Sequence, residues 1–137
     1  MAETRDKMLW PAAALVLTQV VHVAVPTKED VESEGPLGLV FGLLLLILSV
    51  AAVVGIVQGR PYGRPLAART GLAVALGFIA YHAVPWHGWF TNPYFGEPVG
   101  PSAWTTVVLA VGAGFWCAYE GRAELRPESA TTTSAAA

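Results

Sequence analysis

Four long apolar stretches, separated by short polar breaks, dominate this chain. They run over residues 8–25, 37–57, 66–84 and 102–119. Each approaches the roughly 20 residues that a helix needs to cross a hydrocarbon core about 30 Å thick. Inside lipid every backbone polar group must bond within its own segment, and these stretches lack the alternation typical of barrel strands. The sequence therefore predicts an all-α integral membrane protein.

The low content of charged residues supports the same class. They make up 13% of the chain, against about a quarter in a soluble domain, and the mean hydropathy is +0.51. No charged residue occurs in 37–57 or in 72–96. A soluble core helix would keep a polar face, which the second stretch lacks. The uncharged apolar runs indicate that a lipid bilayer surrounds the chain. No basic patch lies outside the short loops, so we expect no nucleic-acid partner.

The single cysteine, Cys117, narrows the chemistry that the chain can support. One thiol excludes an internal disulfide, and cysteine-based zinc and iron–sulfur sites take several thiolates. Because Cys117 lies inside the fourth apolar stretch, we interpret it as a small packing residue.

The basic residues are distributed asymmetrically among the loops and ends. Seven of the eight lie before the first stretch, between the second stretch and the first turn of the third, or in the tail: Arg5, Lys7, Arg60, Arg64, Arg69, Arg122 and Arg126. Only Lys28 lies in the other two loops. Lys and Arg mark cytoplasmic loops, so we expect a multi-pass cell-membrane protein with both termini in the cytoplasm. Alternatively the first stretch is a cleaved signal peptide, although residues 22–26 offer no small-x-small cleavage site.

Short loops between the stretches predict an up-down-up-down four-helix bundle over residues 1–121. Small residues spaced four apart allow close backbone approach, as in Gly38/Gly42, Ala51/Gly55, Gly71/Ala75 and Ala110/Gly114/Ala118. We expect Pro11 in the first turn of the first helix, where its missing N–H is harmless. The tail, 122–137, ends in a low-complexity run and is expected to be disordered in the cytoplasm.

The two helical hairpins resemble each other. The first contains His22, then a proline, then a Gly-Pro pair, and the second repeats this order from His82. The pattern favours two repeated hairpins related by an axis along the membrane normal. The alternative is coincidence, because prolines and Gly-Pro pairs are common at helix ends.

His22 and His82 are the main candidate site residues. Each lies a few residues before the outer end of its helix, about 5 Å below the interface at ~1.5 Å per residue. Two imidazoles facing each other at one depth are suited to axial ligation of a haem, or, with acidic loop residues, to a divalent metal. Thr18 and Gln19 lie one turn before His22, where either would orient its ring. The alternatives are histidines that meet water at the interface, and proton handling or pH sensing.

Two loops carry weaker candidates. His87, in the aromatic loop 86–98, is a third candidate metal ligand, although exposure to solvent is the simpler interpretation. The aromatic residues of this loop favour an interfacial belt, with a lid or a docking surface as the alternative. The loop 27–34 holds four acids, which we interpret as a solvated loop able to attract cations.

No catalytic constellation is recognisable in the sequence. The four stretches contain no Asp, Glu or Lys, and no Ser or Thr has a His at a spacing typical of a nucleophile and its base. We therefore expect a non-catalytic accessory, assembly or scaffold protein that contacts lipid and other membrane proteins or itself. The Ala-, Val- and Gly-rich, lysine-poor composition indicates a bacterial source. A haem- or metal-binding protein using His22 and His82 is the alternative, and a small oligomeric exporter is third.

Overall fold

The computed structural model describes residues 2–24, 36–84 and 99–125, including the side chains of residues 7–24, 38–84 and 99–125. These ranges contain four helices, and a π-helical turn, Ile79–Ala83, extends the third. Their bounds are α1 Ala2–Ala24, α2 Pro36–Val57, α3 Gly63–Phe78 and α4 Pro101–Glu120. No strand occurs in these three ranges, so the predicted all-α class is confirmed for them. By length and composition, all four helices are able to cross a membrane.

The helix bounds differ from the sequence prediction mainly at the beginnings. α1 begins at Ala2 rather than near residue 8, so Pro11 lies fully buried inside the helix and not in its first turn. α3 begins at Gly63 rather than near residue 66, which places Pro65 in a first turn, where proline is tolerated. Hydropathy locates the apolar part of a helix and does not register the polar turns that precede it.

α3 ends in a widened turn. The Val84 N–H bonds the Ile79 carbonyl oxygen at 3.1 Å, which is an i→i−5 bond. Val84 itself has an extended backbone, with φ −89° and ψ 125°. An extended conformation is expected there because Pro85 disfavours a helical residue before it. The π-helical turn carries Tyr81 and His82.

Each helix packs against two neighbours. α1 and α3 both contact α2 and α4, whereas α1 and α3 touch each other little, and α2 and α4 do not meet in the described part of the chain. The main core is built from small and aliphatic side chains of all four helices: Met8, Ala12, Leu15, Ala52, Ile56, Ala67, Ala68, Val74, Ala113 and Cys117. The arrangement places α1 diagonally opposite α3.

α3 and α4 approach each other closely at Gly71 and Gly114. A Cβ atom on Gly71 would overlap the Cys117 side chain and lie 2.8 Å from the Gly114 carbonyl oxygen. A Cβ atom on Gly114 would lie 2.9 Å from the Cβ of Ala75. The spacing of small residues on these two helices therefore serves close backbone approach, as predicted.

The Gly38/Gly42 pair of α2 does not seat another helix backbone. Gly38 lies against the Tyr81 ring, and a Cβ atom on Gly42 would meet nothing within 4 Å. Sequence spacing alone cannot distinguish a glycine at a helix crossing from one that faces an aromatic ring or open space. The interpretation of this pair as a helix-packing face within the chain is wrong.

Large apolar side chains cover the outside of the bundle. Trp10, Phe41, Ile47 and Val108 are each more than half exposed, at 71%, 61%, 64% and 63%. α2 shows such residues along most of its length, because it packs only against α1 and α3. Soluble monomers rarely expose continuous apolar surface of this extent. The outer surface therefore suits apolar surroundings.

Candidate functional site

His22 of α1 and His82 of the π-helical turn lie in direct contact. Their ring centroids are 5.2 Å apart and the ring planes meet at 68°, an edge-to-face arrangement. α1 and α3 lie diagonally opposite each other across the bundle. Because His22 and His82 both lie near the C-terminal ends of these helices, their rings meet at the same level of the bundle. The structure thus brings together the two histidines that the sequence singles out.

Two aromatic rings complete this histidine cluster. The Phe78 ring centroid lies 4.8 Å from that of His22, and the Tyr81 ring centroid lies 4.7 Å from that of His82. His82 is only 3% exposed, and His22 is partly buried. The interpretation of His82 as a histidine that meets interfacial water is therefore wrong, because neighbouring side chains enclose its ring.

His22 is held by α4 through a side-chain hydrogen bond. Its Nδ1 lies 3.0 Å from Thr106 Oγ1, and Thr106 Oγ1 donates to the Ala103 carbonyl oxygen at 2.8 Å. A hydroxyl group has one proton, so Nδ1 is the donor in the His22–Thr106 bond.

The Thr106–His22 pair corrects an expectation from the sequence. Spacing along the chain indicated no hydroxyl with a nearby imidazole, yet the fold joins two residues that are 84 positions apart. The only available signal was the occurrence of two consecutive threonines, Thr105 and Thr106, in a mainly apolar helix.

Gln19 contacts α2 and makes no hydrogen bond to His22. Its Nε2 donates to Ser49 Oγ at 2.8 Å and to the Leu15 carbonyl oxygen at 3.1 Å. Thr18 Oγ1 donates to the Leu15 carbonyl oxygen of its own helix. The expectation that Thr18 or Gln19 orients the His22 ring is therefore wrong. Thr106 makes that contact, and it was missed because it lies on a different helix.

A haem does not fit between His22 and His82 in this arrangement. Axial ligation places two imidazoles on opposite faces of a porphyrin. Here the two rings touch, and Phe78 lies against the His22 ring. The direct ring contact leaves no slot for a macrocycle.

Binding of a divalent metal by His22 and His82 remains a prediction. Within the residues that the structure describes, no group of three His, Cys, Asp or Glu side chains is close enough to hold a metal ion. His87 and the acids of loop 27–34, the further candidate ligands, lie outside the described residues.

A partly open groove of about 630 Å³ lies beside the histidine cluster, between α1, α2 and α3. Its walls are mainly apolar side chains of α2 and α3, and Gly42 and Gly77 leave room in them. Its polar lining consists of four residues, Gln19, His22, Tyr81 and His82. The volume lies within the range of about 300–1,000 Å³ that is typical of small-molecule sites.

Comparison with known proteins adds no assignment. The chain matches no protein-family model, no curated protein and no solved structure. Its function must therefore be argued from the geometry of the bundle and of the groove.

Proposed function

We propose that the chain is a small multi-pass protein of a bacterial cell membrane that acts without catalysis, as an accessory, assembly or scaffold protein. It forms an up-down-up-down bundle with both termini in the cytoplasm. It binds lipid and other membrane proteins, or a second copy of itself, through its apolar outer surface.

Contacts at the two ends of the bundle support the alternating helix directions. At one end, a Cβ atom on Gly121, just after α4, would lie beside Met8 near the start of α1 and Ala68 near the start of α3. At the other end, His22 of α1 contacts His82 at the end of α3 and Thr106 near the start of α4. Such contacts support a bundle in which α4 runs opposite to α1 and α3.

Charge supports the orientation of this bundle. The end that contains Met8, Ala68 and Gly121 also holds the basic residues of α3 and of the turn after α4. Arg64 Nε lies 3.4 Å from Glu124 Oε1, which links the start of α3 to that turn. Because basic residues mark the cytoplasmic side, this end faces the cytoplasm and the histidine cluster lies towards the outside.

The pairing of interior polar side chains between helices carries the non-catalytic proposal. Gln19 bonds Ser49 across α1 and α2, and His22 bonds Thr106 across α1 and α4. In the second pair the imidazole donates to the hydroxyl, whereas a general base must accept the hydroxyl proton. The role that we propose for both hydrogen-bonded pairs is to hold neighbouring helices together.

The broad apolar face of α2 supports a role in binding other proteins. α2 contacts α1 and α3, and it exposes residues such as Ile47, Val50 and Val54, which do not line the groove. Interfaces between membrane helices form by van der Waals packing of such faces. This face is therefore the proposed contact surface for a partner or a second copy.

Cross-linking in membranes followed by purification in mild detergent tests the proposal. The wild-type protein is expected to yield one stoichiometric partner or a second copy of the chain. Ile47→Trp on α2 should abolish this product. Val108→Trp on α4, where the native residue is equally exposed, should leave it intact. Recovery of only the single chain, or turnover of a substrate by the purified protein, would contradict the proposal.

A metal-binding protein is the second candidate, favoured by the 5.2 Å separation of the His22 and His82 rings. Imidazole nitrogens are common ligands of zinc, copper, iron and nickel. Metal analysis of the purified protein tests this function. A stoichiometric metal that disappears in both His22→Ala and His82→Ala would favour it over the accessory role.

A further inference from the structure

The groove beside the histidine cluster combines a long apolar wall with one polar end. The wall is contributed chiefly by α2, from Leu39 to Leu46, and the polar end by Gln19, His22 and His82. This division into apolar length and polar end matches an amphiphile with one small head and a hydrocarbon chain.

The hydrogen bonds of the Gln19 side chain use its Nε2 group and leave its Oε1 as an acceptor at the polar end of the groove. Both protons of Nε2 are used, one on the Leu15 carbonyl oxygen and one on Ser49 Oγ. Ser49 in turn donates to the Leu45 carbonyl oxygen at 2.8 Å, so its hydroxyl must accept from Gln19. These bonds fix the orientation of the amide, since a reversed amide would point its oxygen at the Leu15 carbonyl.

The amide oxygen of Gln19 is therefore the group that faces a ligand. Gln19 is 4% exposed and lines the groove, and no donor of the described residues bonds its Oε1. An amide oxygen only accepts hydrogen bonds, so a hydrogen-bond donor is the complementary ligand group.

The charges of the lining restrict the ligand further. The groove is lined by no Asp, Glu, Lys or Arg among the residues that the structure describes. A phosphate or ammonium head group would lose its hydration here without gaining a partner of opposite charge. The head group must therefore be uncharged.

We propose that this groove binds an uncharged lipid whose head is a hydroxyl group. The hydroxyl donates to Gln19 Oε1, and the hydrocarbon chain lies along α2 over Gly42. The inference rests on the membrane insertion proposed above, because only the bilayer supplies such a molecule at high local concentration. Diacylglycerols and isoprenoid alcohols share this chemistry, and the experiment distinguishes them.

Binding is tested with two lipid alcohols, 1,2-dioctanoylglycerol and farnesol, and with the methyl ether of each. Each is titrated into the purified full-length protein in detergent, and the rise in thermal unfolding temperature gives an apparent Kd. The alcohol can donate a hydrogen bond to Gln19 Oε1 and the ether cannot. We therefore expect the alcohol to bind roughly 3- to 10-fold more tightly than its ether. The scaffold with the lower Kd identifies the lipid class. Equal binding of alcohol and ether on both scaffolds, or no binding, overturns the proposal.

A matched pair of glycines tests the location. Neither Gly42, which lines the groove, nor Gly112 of α4, which does not, has any atom within 4 Å of an added Cβ. Gly42→Leu fills the groove and should weaken binding roughly 10-fold or more, whereas Gly112→Leu should leave it unchanged. If Gly42→Leu alters the oligomeric state and not the lipid Kd, the groove holds a protein helix and the proposal is wrong.

A second pair tests the acceptor. Gln19→Leu removes the amide oxygen and should abolish the difference between alcohol and ether. Ser49→Ala removes the same interhelical bond but keeps Gln19 Oε1, so it should preserve that difference. Persistent discrimination in Gln19→Leu contradicts the assignment. Recovery of the protein in the membrane fraction is scored separately, so a failure of membrane insertion is distinguishable from a failure of lipid binding.

Discussion

His22 on α1 donates its Nδ1 proton to Thr106 Oγ1 on α4 at 3.0 Å, while the Thr106 hydroxyl donates to its own helix. One hydrogen bond thus links two helices and orients the histidine ring. Because His22 also contacts the His82 and Phe78 rings, the bond fixes the position of the whole histidine cluster.

Removing the Thr106 hydroxyl should destabilise the bundle. Thr106→Val preserves the shape of the side chain but leaves the Nδ1 proton without its acceptor. We expect the free energy of unfolding to fall by about 0.5–1.5 kcal/mol, the range for interhelical bonds in membranes. The measurement is unfolding in mixed detergent micelles. Thr105→Val is the control, because Thr105 is exposed and bonds only the Pro101 carbonyl of its own helix. Equal losses in the two variants would contradict the assignment.

The Gln19–Ser49 bond should show energetic coupling between α1 and α2. Ser49 is 1% exposed and Gln19 is 4% exposed, so lipid and water do not compete for the bond. A double-mutant cycle of Gln19→Leu and Ser49→Ala should give a coupling of about 0.6–1.7 kcal/mol. A parallel cycle of Thr18→Ala with Ser49→Ala should give none, because Thr18 bonds its own helix. Absence of coupling in the first cycle would show that this bond does not stabilise the fold.

The α3–α4 crossing should not tolerate an added methyl group. Gly114→Ala places a Cβ atom against Gly71 and Ala75, and overpacking of this kind costs about 1–3 kcal/mol. Gly112→Ala, on the same helix, meets nothing within 4 Å and should be neutral or slightly stabilising, since alanine favours helix. The comparison uses unfolding in mixed micelles. A Gly114→Ala variant as stable as the wild type would mean that the helices are farther apart.

The Arg64–Glu124 ion pair should contribute little to stability. Its side chains are 36% and 34% exposed, and the 3.4 Å contact is electrostatic without a hydrogen bond to Arg64 Nε. Exposed pairs typically contribute less than about 1 kcal/mol. Glu124→Gln is expected to change the free energy of unfolding by under about 0.5 kcal/mol, with little dependence on salt. A loss above about 1.5 kcal/mol, removed by high salt, would indicate a stronger role for this pair.

The sequence predicts the four helices of the described ranges because each apolar run corresponds to one of them. It also predicts which histidines meet, since His22 and His82 occupy equivalent positions on diagonal helices. The beginnings of α1 and α3 were misplaced, because polar residues before an apolar run extend the helix without raising its hydropathy. Burial of His82 was likewise missed, as it depends on rings from Phe78 and Tyr81 that pack around it.

The hydrogen-bond partners could not be predicted from the sequence. Thr106 and Ser49 reach His22 and Gln19 from other helices, and the rotation of each helix about its axis decides which side chains meet. Gly38 and Gly42 have the spacing of a packing motif, but this rotation directs one towards the Tyr81 ring and the other towards open space. The same rotation decides which residues line the groove, so no local pattern in the sequence predicts it.

Side-specific cysteine labelling tests the membrane topology most directly. Single cysteines are placed in a Cys117→Ala background by Lys7→Cys, Asp30→Cys and Glu128→Cys, and are exposed to a membrane-impermeant maleimide. Only Asp30→Cys is expected to be labelled in intact cells, and Lys7→Cys and Glu128→Cys are expected to be labelled in inverted vesicles. Labelling of Lys7→Cys and Glu128→Cys from opposite sides would contradict the four-span bundle with both termini in the cytoplasm.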